Sequence, residues 1–141
     1  MSFIAPSRTL RQALFADAAV SGSAGLLHIA GGSSLASWLG LPPALMLGSG
    51  LFMLAYAAAL VGLARASSLR ALWIALVVAG NFAWADACIA LRAFDIVAPA
   101  AAGTAWLFMQ AAAVTALALW QGIGWRVSKR VPAGGALLAH A

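Results

Sequence analysis

Four apolar runs of roughly 20 residues each dominate this chain, and that is the length a helix needs to cross the hydrocarbon core of a bilayer. They fall at about residues 10–29, 44–64, 72–91 and 100–120. In lipid every backbone polar group must find its partner within the protein, so such runs fold as helices. The predicted class is therefore all-α, four transmembrane helices in an antiparallel up-down bundle. Composition agrees: 65% of residues are hydrophobic and 8% charged, against about 45–50% and about 25% in soluble domains.

The separators carry stop signals. "GGSS" and "LPP" bracket the first loop, "ARASSLR" forms the second, and "RAFDIVAP" the third, with Pro99 placed to start a new helix. Residues 1–125 thus form one transmembrane domain, and 126–141 read as a basic, flexible cytoplasmic tail. The first run follows Arg8 and Arg11, as the core of a signal peptide would. Asp17 interrupts it, however, and its removal would leave an odd number of spans, so it is read as an uncleaved helix.

Basic residues orient the spans. Arg8 and Arg11 precede the first, Arg65 and Arg70 separate the second and third, and Arg126, Lys129 and Arg130 follow the fourth. Of the eight Lys and Arg, Arg92 alone falls on the other side. The positive-inside rule assigns the crowded side to the cytoplasm, with both termini inside. The net charge of +5 does not point to nucleic acid, because the cations sit at segment ends and form no stripe. The bilayer is the expected partner.

Small residues four apart let helices approach closely in lipid. Ala18/Gly22, Ser21/Gly25, Ala58/Gly62 and Ala79/Ala83/Ala87 have that spacing.

Each span also carries one polar residue near its centre: Asp17, Tyr56, Asn81 and Gln110. A carboxyl at such depth costs about 2.5–3.5 kcal/mol on insertion scales, so Asp17 should face the bundle interior with partners. Desolvation should favour its protonated form. Two readings fit the layer: a clamp whose members satisfy one another and fix helix register, or a midplane site that titrates or binds a ligand. Trp84 and Trp106 lie deep in their spans, each on the same face as a polar neighbour, Asn81 or Gln110. They are candidate walls of a pocket, or simply packed core. Along the first helix, Asp17, Ser21 and His28 share a face that leads to the periplasmic side, a candidate relay.

Asp86 does not belong to this layer, since it points about 140° away from Asn81. Arg92 is six residues on and is no i,i+4 partner; it can pair with Asp95 instead. Asp86 is a candidate contact to another subunit, whether in a homo-oligomer or a larger membrane complex.

Cofactor chemistry finds no support. His28 is the only histidine near the membrane, His140 lies in the tail, and the single cysteine, Cys88, sits within an apolar span. No phosphate loop, zinc spacing or nucleophile elbow occurs, so no cofactor, metal or catalytic residue is expected, and no enzyme.

The segments "LFADAAVSGSAGLLHIAGG", "LASWLGLPPALM", "NFAWADACIAL" and "PAAAGTAWLFMQAAAVTALA" resemble a group of small four-helix bacterial inner-membrane proteins that carries no assigned activity. The likeness runs through most of the chain to Trp120. Its marks are the alanine-plus-aspartate start of the first helix, the Asn-x-x-Trp of the third and the glutamine of the fourth. It implies a multi-pass inner-membrane location and adds nothing on mechanism. The expected function is a non-enzymatic accessory or interaction subunit; the alternative is a small proton-coupled transporter, or a binding protein for apolar or cationic ligands.

Overall fold

The computed structural model describes residues 3–131. Four long helices make up nearly all of it: α1 (Arg8–Leu39), α2 (Pro43–Arg65), α3 (Ala71–Ala93) and α4 (Ala101–Arg126). Each is long and apolar enough to cross a membrane.

α1 starts at an N-cap where the Ser7 hydroxyl accepts from the Leu10 amide, satisfying a donor left over in the first turn. It ends at Gly40, whose φ of 65° allows the Leu41 amide to reach Ala36 O and the Gly40 amide to reach Ser37 O. This paired arrangement satisfies the last carbonyls, and it favours glycine because a Cβ is strained in the left-handed region. Between these ends α1 runs 32 residues, further than the expected span. The "GGSS" stretch is not a loop. The chain kinks at Gly32 (φ 50°, ψ −141°) and resumes as helix, so a glycine that breaks the hydrogen-bond ladder turns the axis without ending the element. The segment after the kink buries Ala36 and Leu39.

α2 opens on Pro43, a residue suited to the first turn because its missing N–H has no helical partner there. Its last carbonyls are satisfied from outside: Arg11 Nη1 donates to Ala64 O at 2.7 Å and Nη2 to Ala66 O at 2.9 Å.

Three short strands, β1 (Phe3–Ala5), β2 (Leu69–Arg70) and β3 (Lys129–Val131), form a sheet in the order β2-β1-β3, both pairings antiparallel. Phe3 is paired with Arg70 on one side and Val131 on the other. The sheet ties together the start of α1, the α2–α3 connection and the end of α4. The fold is otherwise all-helical, and within the basic tail Arg126 closes α4 and residues 129–131 are paired strand. Residues 132–141, including His140, lie outside the described residues.

Two apolar clusters fill the interior. Leu10, Leu14, Leu60, Ile74 and Val77 belong to the one nearer the sheet; Leu39, Met46, Ala85, Cys88 and Leu107 belong to the other. α1 packs closely on α2 and α4, and α4 on α3, whereas the backbones of α2 and α3 stay further apart and meet through side chains. Glycines permit two of these contacts. A Cβ on Gly25 would stand 2.9 Å from Gly50 O, and one on Gly124 would stand 2.6 Å from the Leu10 Cα. Gly22 of the Ala18/Gly22 pair faces Ala57, but nothing stands near Gly62, and Ala79, Ala83 and Ala87 are exposed.

Candidate functional site: two polar layers and an outward carboxylate

Where the two apolar clusters meet, all four helices send a polar side chain to one point. Asp17 of α1 is the centre, and it is fully buried. Its Oδ2 accepts from Asn81 Nδ2 of α3 at 2.7 Å and from Gln121 Nε2 of α4 at 2.6 Å. The Tyr56 hydroxyl oxygen, from α2, stands 3.3 Å from both Asp17 Oδ2 and Asn81 Oδ1, and its single proton is shared between them. On the other oxygen, Asp17 Oδ1 accepts from Ser21 Oγ, one turn on, at 2.9 Å. Asn81 spends its second amide proton on Gln121 Oε1 at 3.0 Å. Donors from all four helices thus converge on the two oxygens of one carboxyl. Among the described residues no fully buried side-chain nitrogen or oxygen lacks a partner. A network satisfied throughout and joining four helices fixes their register, because sliding any helix by a turn would strand buried polar groups.

The expected quartet therefore closes with one exchange. Asp17, Tyr56 and Asn81 come together as anticipated, but Gln110 does not join them, and Gln121 takes its place. Gln121 is itself fully buried. The two glutamines are eleven residues apart on α4, close to three whole turns, so they share a face and differ only in depth. Reading the fourth span as ending at residue 120 left Gln121 outside the membrane and set Gln110 at the centre. The helix runs on to Arg126, which moves the frame towards the sheet.

Gln110 belongs to a second layer further from the sheet. Its Oε1 accepts from Trp84 Nε1 at 3.2 Å; an indole nitrogen can only donate, so this contact fixes which way the amide is turned. The amide nitrogen donates to no described residue. Nearby, His28 Nε2 accepts from Trp106 Nε1 at 3.0 Å, and His28 Nδ1 lies 2.9 Å from Ser49 Oγ. Since the indole must donate, the ring proton sits on Nδ1 and is given to Ser49, whose own proton goes to Met46 O at 3.1 Å. Ser49 has no counterpart in the sequence reading. Nothing in its local sequence separates it from the neighbouring Gly48 and Gly50, and only the α1–α2 contact places it opposite His28.

The candidate relay of Ser21 and His28 divides between the layers. Ser21 bonds to Asp17 and His28 to Ser49 and Trp106, and among the described residues no hydrogen bond joins the two halves. The two deep tryptophans border different openings. Trp84 borders a cavity of about 370 Å³, together with His28, Ser49, Cys88 and Gln110, in the open seam between α2 and α3. Trp106 borders a separate opening between α1 and α4. Across the seam Trp84 stacks on Phe52 with centroids 5.6 Å apart and planes 6° from parallel, and Phe52 stacks on Tyr56 at 6.1 Å and 7°. This ladder separates the cavity from a second one of about 350 Å³ that reaches Tyr56 and Asn81.

Asp86 takes no part in either layer. It lies on the exposed side of α3 beside Ala83 and Ala87, away from the buried face formed by Asn81, Ala85 and Cys88. No described residue donates to it. Arg92 is engaged with Asp95 at 2.8 Å, a solvent-side pair at the helix end.

The chain was compared with protein-family models, with curated proteins and with solved structures. It matches none of them.

Proposed function

We propose that this protein is a non-enzymatic, multi-pass protein of the bacterial inner membrane, an accessory subunit that presents the outer face of α3 to a partner helix. In this reading the four helices form an antiparallel up-down bundle with both termini cytoplasmic. Seven of the chain's eight Lys and Arg residues support that orientation, since Arg8, Arg11, Arg65, Arg70, Arg126, Lys129 and Arg130 all belong to segments that the sheet draws together. The resemblance to small four-helix inner-membrane proteins supports the compartment.

The observation that carries the reading is the position of Asp86. It is about four residues, or about 6 Å, from the middle of α3, exposed, and without a partner among the described residues. A carboxyl facing acyl chains costs up to about 2.5–3.5 kcal/mol on insertion scales, and its side chain is too short to reach the interface from that depth. A helix bearing a cation or a hydrogen-bond donor at the same level removes the cost. Ala79, Ala83 and Ala87 around it let that helix come close.

A photo-crosslinking side chain placed at Ala83, one turn from Asp86, tests this in native membranes. The expected result is a discrete adduct that Asp86→Leu removes, while the same probe at exposed Leu51 of α2 gives none. An adduct indifferent to Asp86→Leu, or no adduct at all, refutes the reading. A mass increment equal to the chain itself identifies the partner as a second copy.

One observation favours a second reading, ligand binding. The 370 Å³ cavity lies within the roughly 300–1,000 Å³ range of small-molecule sites. Gln110, 8% exposed, brings to it an amide nitrogen with no described partner. An apolar molecule bearing one acceptor would suit that composition.

A further inference from the structure

The sheet-side end of the molecule holds more positive charge than the chain can neutralise. Its only acidic side chains are Asp17, Asp86 and Asp95. Asp17 is committed to the buried network, Asp86 lies past the middle of α3 on the far side from the sheet, and Asp95 pairs with Arg92 beyond the other end of that helix. None of these three side chains is therefore placed to meet Arg126 or Arg130, and among the described residues neither guanidinium has a hydrogen-bond partner.

These two arginines stand at the mouth of a groove of about 540 Å³, lined by Ile4, Val78, Gly122, Trp125, Arg126, Ser128 and Arg130. Its composition changes with depth. The guanidinium groups are at the membrane-surface end, with the half-buried Trp125, whose indole N–H has no described partner. Ser128 offers no free proton there, since its hydroxyl donates to Gly124 O at 2.8 Å. Further into the span, Val78 and Gly122 leave an apolar channel between α3 and α4, and a Cβ at Gly122 would meet nothing within 4 Å. A charged mouth, an indole donor at interface depth and a narrow apolar floor match, in that order, the phosphate, the glycerol esters and the acyl chain of a phospholipid.

We propose that this groove is a binding site for one anionic phospholipid, with Arg126 and Arg130 on the headgroup phosphate and one acyl chain laid over Gly122. The inference rests on the helices crossing a bilayer and is independent of the Asp86 contact, so either can fail alone. Arginine suits the headgroup because its planar fork gives two parallel hydrogen bonds to phosphate oxygens. Its selectivity comes from net charge: a zwitterionic headgroup brings its own cation and loses most of the attraction.

The test is lipid retention by the purified full-length chain, read by native mass spectrometry after incubation with phosphatidylglycerol or phosphatidylcholine of the same acyl chains. One bound phosphatidylglycerol is expected, and no stoichiometric phosphatidylcholine. Arg126→Gln with Arg130→Gln should weaken retention about thirtyfold, from the usual contribution of two surface arginines. Arg8→Gln with Arg65→Gln makes the same charge change at the same end but outside the groove, and should leave retention unchanged. Gly122→Leu should abolish retention by filling the channel. All five positions are exposed or open, and helix content by circular dichroism should be unaltered. Equal weakening by both arginine pairs would overturn the site in favour of diffuse attraction. Equal retention of the two lipids would overturn the headgroup assignment. Displacement of phosphatidylglycerol by inorganic phosphate alone would overturn the lipid as the ligand.

Discussion

Replacing Gln121 with leucine isolates the contribution of the Asp17 network. The side chain is fully buried and leucine nearly matches its volume, so the change removes hydrogen bonds and leaves little cavity. Two bonds are lost, Gln121 Nε2 to Asp17 Oδ2 at 2.6 Å and Asn81 Nδ2 to Gln121 Oε1 at 3.0 Å. Interhelical hydrogen bonds in membranes average about 0.6 kcal/mol, which gives about 1.2 kcal/mol for the pair. To this is added the cost of a buried donor on Asn81 left without its acceptor, about 1–3 kcal/mol. Asp17 keeps Asn81, Tyr56 and Ser21 as donors, and the sum comes to about 2–4 kcal/mol. Gln110→Leu is the internal control, because it breaks only the 3.2 Å bond from Trp84 and should cost about 0.6–1 kcal/mol. Both are measured by reversible unfolding of the purified chain in mixed micelles with increasing SDS, followed by tryptophan fluorescence. If Gln121→Leu costs no more than Gln110→Leu, the network does not hold the helices and the reasoning fails.

Two further perturbations test the frame around the network. Gly124→Ala would place a Cβ 2.6 Å from Leu10 Cα and 2.7 Å from Leu10 N; backbone cannot step aside, so the same titration should show a loss of about 1–3 kcal/mol, while Gly62→Ala, where space is open, should show none. Arg11→Ala removes both donors that cap the end of α2, and should cost about 1–2 kcal/mol at this half-buried site. Arg11→Lys should recover only part of that, because one ammonium does not reproduce the fork that reaches Ala64 O and Ala66 O together.

Much of this structure is legible in the sequence, and the misreadings share a cause. Apolar runs identify the four helices to within a few residues at most ends, because lipid crossing imposes a minimum length. The exceptions are the far ends of α1 and α4. At Gly31–Gly32 a local breaker signal reads as a loop, yet the helix resumes because Ala36 and Leu39 have a core to enter. At Trp120 the reading stops on an interface residue, while α4 runs six residues further and brings in Gln121. A misplaced end shifts the whole depth scale, and that alone put Gln110 in the layer that Gln121 occupies. The three-stranded sheet was beyond reach from local pattern: strands of two and three residues acquire their structure only by pairing across 60 or more positions of sequence. Angular position travels better than depth. Asp86 reads as pointing away from Asn81 whatever the span limits, and in the structure it stands outside both polar layers.

The central claim is that Asp17 and its four donors form a clamp and no path for protons. Proton flux into vesicles carrying the purified protein, driven by an imposed pH gradient and reported by an entrapped dye, tests it most directly. The account predicts flux no greater than in protein-free vesicles, and no change on Asp17→Asn. A flux above that background that Asp17→Asn abolishes would contradict it and make Asp17 the centre of a transport pathway.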